Sequence, residues 1–260
     1  MEKPFLKLFI QNLAASAEAY ILIRSGFAKS WASLSIASYI MGIGDRHTEN
    51  FLVDLKSGHV IGIDFGYAFG SATEVLPVPE LVPFRLTRQI KEFMGPLGIH
   101  VLLEPPMVDV MTVLQEKKDM IMTSLDIFVK EPLMEWRKFA ISQYKRNINR
   151  FGALTESSDI DTNSLNTPKW YPQQKLDVAA RKLCGEHPSY IQLTELLWGH
   201  TDKPYLGRAR DILVGNDTLA MRSQVGQQCA DVREQVRCLI DQATDPNILG
   251  RAWRGWLPFC

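Results

Sequence analysis

Gly42-Ile43-Gly44-Asp45-Arg46-His47-Thr48-Glu49-Asn50, followed after a short apolar stretch by Asp64-Phe65-Gly66, decides the fold of this chain. The first segment is a polar loop opened by glycine. Between the two, Phe51–Leu55 and His59–Ile63 are short β-like runs around Lys56-Ser57-Gly58, which predicts a hairpin. The second run empties directly into Asp64. Three side chains therefore stand out: Asp45 and Asn50, five residues apart in one loop, and Asp64 just past the hairpin.

Working outward, the flanks read as helices. Leu6, Phe9, Ile10, Leu13, Ala17, Tyr20 and Ile21 recur at the period of one helical face, with Arg24-Ser25-Gly26 as the expected stop. Phe27, Trp31, Leu34, Ser38 and Met41 mark a second helix closed by Gly42. Both stripes read as core. Tyr67 to Pro83 is loop-like, because Pro77, Pro79 and Pro83 break regular structure. Further helices are expected over Phe84–Met94, Val108–Phe128, Leu133–Ile148, Pro172–Leu183 and Ser189–Trp198. A Ser/Thr/Asn/Asp-rich stretch, Thr155–Thr167, reads as a flexible surface insert, and Gly199–Gly226 as irregular. Val232–Ile240 is amphipathic, Asp245-Pro246 offers an N-cap and a first-turn proline, and Trp253, Trp256 and Phe259 end the chain. The fold class expected is mainly α with a small β-hairpin.

Composition narrows the function. The 260 residues carry 29 Lys+Arg against 29 Asp+Glu and are 46% hydrophobic, ordinary for a globular protein with a sizeable core. Zero formal charge argues against wholesale wrapping of nucleic acid, which needs a surplus of Lys and Arg. Cys184, Cys229, Cys238 and Cys260 form no Cys-x-x-Cys pair, so neither a disulfide framework nor a zinc site is expected and a reducing compartment is the default. No apolar run reaches the ~18 residues of a membrane span, and the start lacks a signal-peptide layout.

Asp45, Asn50 and Asp64 are the parts that phosphoryl transfer from ATP needs. One carboxylate orients the attacking hydroxyl and accepts its proton, while an amide oxygen and a second carboxylate hold Mg²⁺ on the phosphates. The protein-kinase catalytic loop has the same Asp-to-Asn spacing, with its histidine before the aspartate. Here the order is reversed, Asp45-Arg46-His47. The bland alternatives are a capping or salt-bridging role for Asp45 and Asp64, an Asx turn for Asn50, and a backbone partner for His47. Arg46 reads as structural, bracing the loop or an acidic neighbour.

Gly-Asp-Arg-His-x-x-Asn together with Asp-Phe-Gly resembles the phosphatidylinositol 3-kinase superfamily. Val60-Ile61-Gly62-Ile63-Asp64-Phe65-Gly66, Ala68-Phe69-Gly70-Ser71-Ala72-Thr73 and Leu76–Thr87 resemble its protein-kinase branch more than its lipid kinases. Phe128-Val129-Lys130-Glu131-Pro132 and Asp241–Arg251 extend the likeness to the far end, where residues 228–260 resemble the FATC motif. The resemblance implies a catalytic C-lobe of a PI3/PI4-kinase-like fold over residues 1–200, with catalytic loop 42–50 and activation segment 64–88, then a connector over 201–227 and the tail. It implies Asp45 as catalytic base, His47 as a γ-phosphate contact, and Asn50 and Asp64 as ligands of Mg²⁺ on ATP. Within the activation segment, Phe65, Gly66, Leu76, Pro77 and Pro83 would border a groove for Ser or Thr followed by Gln, with Leu76, Val78 and Leu81 as pocket lining. Trp253, Trp256 and Phe259 would dock on the lobe, with an interfacial membrane anchor as the rival.

The resemblance further implies a nuclear Ser/Thr kinase acting in double-strand-break repair by non-homologous end joining. The Ku heterodimer would supply the DNA contact, and the rest of the kinase polypeptide would complete the enzyme. No glycine-rich loop or strand lysine of an N-lobe precedes Asp45, and Lys3, Lys7 and Lys29 lie in helical patterns. The expectation is a lobe without its N-lobe, inactive alone, with a non-catalytic kinase-like interaction module as the alternative. Metal-dependent hydrolysis by Asp45, His47 and Asp64 is a third, weaker reading.

Overall fold

The computed structural model describes residues 5–72, 80–130, 171–198 and 228–250. They are mainly helical with one two-stranded antiparallel sheet, as the sequence predicts. The chain divides into two units, Met1–Glu116 with Arg181–Cys260, and Lys117–Ala180. The first unit carries the whole candidate site.

Helix α1 spans Phe5–Leu13 and α2 spans Ala17–Met41. The break thus falls at residues 14–16, not at the expected Arg24-Ser25-Gly26. Ser16 is extended and its hydroxyl accepts the Ala19 N–H, an N-cap that starts α2 there. Gly26 lies inside α2 for a different reason: a Cβ there would stand 2.2 Å from the Ser57 carbonyl oxygen in the hairpin turn. The glycine allows close approach rather than ending a helix.

One face of α2 buries Ile23, Phe27, Trp31, Ile36 and Ile40 against the rest of the unit. Phe27 stacks on Trp31 at 5.5 Å and meets Phe93 edge-on at 5.1 Å, while Trp31 packs on Phe51 of the hairpin at 4.8 Å. This aromatic row fixes the hairpin against the helix. Gly42 then ends α2 in the left-handed conformation (φ 59°), its N–H directed to the Ser38 and Tyr39 carbonyls, as a C-terminal glycine should.

The hairpin pairs β1 (Phe51–Val53) with β2 (Val60–Gly62), Phe51 opposite Gly62. Asp54 closes the turn, accepting from the Lys56 and Ser57 amides and the Ser57 hydroxyl. Beyond it, Tyr67 to Gly70 is irregular and residues 71–72 are already helical, a small departure from a continuous loop.

Helix α3 covers only Arg88–Phe93 of the expected Phe84–Met94, because Thr87 is extended and caps Ile90 N–H with its hydroxyl. A short α4 (Ile99–Leu102) precedes α5 (Glu104–Glu116). The single helix expected over Val108–Phe128 is two, α5 and α6 (Lys118–Lys130), with Lys117 between them. The break sits in a charged run without Gly or Pro, so periodicity carries no mark of it. Helices α7 (Tyr171–Leu183) and α8 (Pro188–Trp198) fall where expected. The second unit contains α6 and the first turns of α7. The expected Leu133–Ile148 helix, the Thr155–Thr167 insert and the Gly199–Gly226 stretch lie outside the described residues.

Helix α9 (Val232–Thr244) begins at an Asp231 cap and buries Val236, Cys238, Leu239 and Ile240 against α5 and α8. Asp245 then caps α10 (Pro246–Leu249), accepting from Asn247 N–H at 2.7 Å, with proline in the first turn as the sequence predicts. Cys184, Cys229 and Cys238 are free thiols. Among the described residues no helix is long and apolar enough to cross a membrane.

Candidate active site

The site begins at the end of α2. Past Gly42 the chain is held by Ile43 N–H donating to Ser38 O (2.9 Å) and Gly44 N–H donating to Tyr67 O (2.9 Å). The segment after Asp-Phe-Gly returns to the same place, with Phe69 N–H on Met41 O and Gly70 N–H on Gly42 O, both 2.8 Å. The Gly42–Asn50 loop and the segment around Asp-Phe-Gly are therefore stitched together through their backbones.

Asp45 sits at φ 55°, left-handed and unusual for a residue with a side chain. Both of its main-chain polar atoms are held. Its N–H donates to Glu80 Oε2 at 2.6 Å, and its carbonyl accepts the Asn50 side-chain Nδ2 at 2.8 Å. Asn50 is buried (5% exposed), and its own carbonyl accepts Ile63 N–H at 3.0 Å, one residue before Asp64. The hairpin register thus brings Asn50 and Asp64 to the same end of the sheet. Because the Asn50 amide nitrogen is committed to Asp45, its Oδ1 is the end left to face a ligand.

Arg46 is buried and links the two halves. Its guanidinium donates to Gly44 O (3.0 Å), to Ile63 O (2.8 Å) and to Asp64 O. It also lies 5.5 Å from the Phe65 ring centroid and 6.0 Å from that of Phe51. Burial pulls this guanidinium below its usual range, while the charges of Glu80, Asp64 and Asp45 push it back. The bracing role expected of Arg46 is what its contacts describe.

Asp64, also left-handed at φ 55°, is exposed, and its Oδ1 accepts Gly66 N–H at 3.2 Å. His47 is half-buried and its carbonyl accepts Asn50 N–H. Phe65 and Gly66 are exposed, Leu81 is buried, and Pro83 is half-buried. Leu76, Pro77, Val78, Trp253, Trp256 and Phe259 lie outside the described residues.

Glu80 escapes sequence reading altogether. The one available signal is a lone acid in the Pro79-Glu80-Leu81 stretch of an otherwise apolar segment. Burial raises its carboxyl to about 7, against the backbone hydrogen bonds of Asp45 and Arg46, which favour the ionised form. It also lines a cavity of about 80 Å³ with Gly44, Ala72, Lys182 and Gln192.

Asn50 Oδ1 and the exposed Asp64 carboxylate are hard oxygen donors, which suit Mg²⁺. Among the described residues no group of three or more His, Cys, Asp and Glu side chains could hold a metal ion. A two-ligand set fits an ion that keeps several waters and is bound largely through substrate phosphates, and fits a structural zinc poorly.

The phosphatidylinositol 3- and 4-kinase family matches residues 1–138 and the FATC domain matches residues 229–260. The chain belongs to the phosphatidylinositol 3- and 4-kinase family. It is 46% identical over 248 residues to the DNA-dependent protein kinase catalytic subunit of Dictyostelium discoideum, covering 95% of this chain and 6% of that protein. It is 35% identical over 257 residues to the serine/threonine-protein kinase TEL1 of Kluyveromyces lactis, covering 99% of this chain and 8% of that protein. The FAT and kinase domain structure of CtTel1 superimposes with a TM-score of 0.59 at 24% identity, over 98% of this chain and 14% of that one, which supports the fold. The chain thus spans a small fraction of the length of the curated relatives it matches.

Proposed function

We propose that this chain is the catalytic lobe of a Ser/Thr protein kinase and works within a longer polypeptide that supplies an ATP-binding N-lobe. The observation that carries the reading is the Asp45–Asn50–Asp64 arrangement. The register places Asn50 and Asp64 just beyond the paired ends Phe51 and Gly62 of the hairpin, and the Asn50 side-chain amide donates to the Asp45 carbonyl.

Bound Mg·ATP would supply the transferable phosphoryl group. Asp45 orients the substrate hydroxyl and takes its proton. The phosphoryl group passes to that hydroxyl oxygen as its bond to ADP breaks and ADP leaves; Asn50 Oδ1 and the Asp64 carboxylate would hold the ion, and His47 would donate to a phosphate oxygen. Arg46 keeps the two loops in register from behind through its three carbonyl contacts. The 46% identity to a DNA-dependent protein kinase catalytic subunit supports the finer reading. That reading is phosphorylation of Ser/Thr-Gln sites in the nucleus during double-strand-break repair by non-homologous end joining, with Ku presenting the DNA ends.

The test is phosphate transfer from labelled Mg·ATP to a Ser-Gln peptide. The kinase polypeptide carrying this chain should label the peptide, and its Asp64→Asn variant should not. The 260-residue chain alone should be inactive. Robust transfer by the isolated chain, abolished by Asp45→Ala, would overturn the dependence on an N-lobe.

A further inference from the structure

We propose that Glu80 is a positioning residue for phosphoryl transfer: from the far end of the segment that follows Asp-Phe-Gly, its carboxylate reaches back to hold the main chain of Asp45. The inference rests on the reading of Asp45 as catalytic base and adds a second, distant determinant of its geometry.

Three observations carry it. First, Glu80 Oε2 accepts the Asp45 N–H at 2.6 Å across 35 residues of sequence, and the Arg46 backbone bonds the same carboxylate. Two successive amides make an anion-binding nest, and here the anion is internal. Second, the space for it is built: a Cβ at Gly44 would stand 2.7 Å from Glu80 Oε2 and 2.3 Å from Ala72 Cβ. Gly44 must stay bare for the carboxylate to reach the loop. Third, Asp45 holds a left-handed φ of 55°, a conformation that a residue with a side chain keeps only where its surroundings enforce it. Asn50 fixes the carbonyl and Glu80 fixes the N–H.

The stem of Glu80 is itself tethered. Gln192 on α8 donates to Leu81 O at 2.6 Å, so the clamp has a rigid support behind it.

The experiment has two arms. In the 260-residue chain, amide hydrogen exchange compares wild type, Glu80→Gln, Glu80→Asp and Glu80→Ala. The Asp45 and Arg46 amides should be protected in wild type and in Glu80→Gln, whose oxygen still accepts. They should exchange about tenfold faster in Glu80→Ala and in the shortened Glu80→Asp, with residues 23–40 of α2 unchanged. In the kinase polypeptide, Glu80→Ala and Glu80→Asp should lower kcat about 10- to 100-fold with KM for ATP nearly constant, as slight misplacement of a reacting group does. Glu80→Gln should recover most of the rate.

Unchanged exchange at Asp45 in Glu80→Ala would overturn the clamp. Wild-type kcat in Glu80→Asp, or Glu80→Gln as slow as Glu80→Ala, would overturn the positioning role. Absence of transfer by the wild-type polypeptide would instead defeat the kinase reading, while the exchange arm still decides whether the clamp exists.

Discussion

The side-chain amide of Asn50 donates to the backbone carbonyl of Asp45 across 2.8 Å, so the would-be metal ligand and the would-be base are parts of one hydrogen-bonded unit. The bond settles which end of the Asn50 amide can face a cation. In the proposed function Asn50 would serve two purposes, ligand and brace.

Asn50→Asp separates them. It keeps an oxygen ligand and adds charge but cannot donate to the Asp45 carbonyl. We expect transfer to fall about 10²-fold or more at saturating Mg²⁺, the scale on which misplaced catalytic groups lose rate. A Mg²⁺ titration of transfer by the kinase polypeptide would check this, since a ligand-only role predicts recovery at high Mg²⁺.

Arg46→Lys is conservative in charge but not in shape. The guanidinium fork serves Gly44, Ile63 and Asp64 carbonyls at once, and an ammonium on a flexible stem cannot reproduce that. The expected cost is about 1–3 kcal/mol of lobe stability, the range for buried acceptors left without donors, read by denaturant unfolding of the 260-residue chain.

Gly26→Ala should go against helix propensity. Replacing a mid-helix glycine by alanine in the open normally stabilises by about 1 kcal/mol. Here the added Cβ would meet the Ser57 carbonyl oxygen at 2.2 Å, and that atom is backbone. We expect net destabilisation of about 1–3 kcal/mol, the usual cost of overpacking. A raised Tm would show that the hairpin turn yields freely.

Two carboxylates, Glu104 and Glu80, should make stability depend on pH in opposite senses. Burial alone would raise Glu104, only 1% exposed, but hydrogen bonds from His100, Arg237 and Arg233 outweigh it and hold its carboxyl below the usual range. Its contribution, which ties α9 to α5, is complete above the unfolded carboxylate pKa and is lost as pH falls through the folded value. Glu80 is raised from 4.5 to about 7, so the native state loses stability as pH rises from about 4.5 to about 7. Glu104→Gln should flatten the acid limb of a stability-versus-pH curve, and Glu80→Gln should flatten the slope between those two values.

What could be read beforehand was local. The hairpin turn, the Gly42 stop, the Asp245-Pro246 cap and the amphipathic α9 each follow from residues that touch their neighbours in sequence. The misreadings were tertiary. Gly26 reads as a helix stop only until Ser57 is known to pass beside it, and Thr87 shortens α3 where apolar residues favour continuation. Glu80 was invisible because its partner lies 35 residues away and its meaning depends on a bare Gly44. Motif spacing singles out Asp45, Asn50 and Asp64, but the contacts that hold their backbones are distributed over Arg46, Glu80 and Ile63, which no spacing rule links.

The proposed function assigns phosphoryl transfer to Asp45, Asn50 and Asp64. It is tested most directly by the single-turnover rate of phosphate transfer from Mg·ATP to a Ser-Gln peptide, comparing the kinase polypeptide with its Asp45→Asn variant. Asp45→Asn should keep its fold and its affinity for Mg·ATP while the transfer rate falls at least about 10²-fold, the range expected for loss of a general base. A variant that transfers phosphate at the wild-type rate would contradict it.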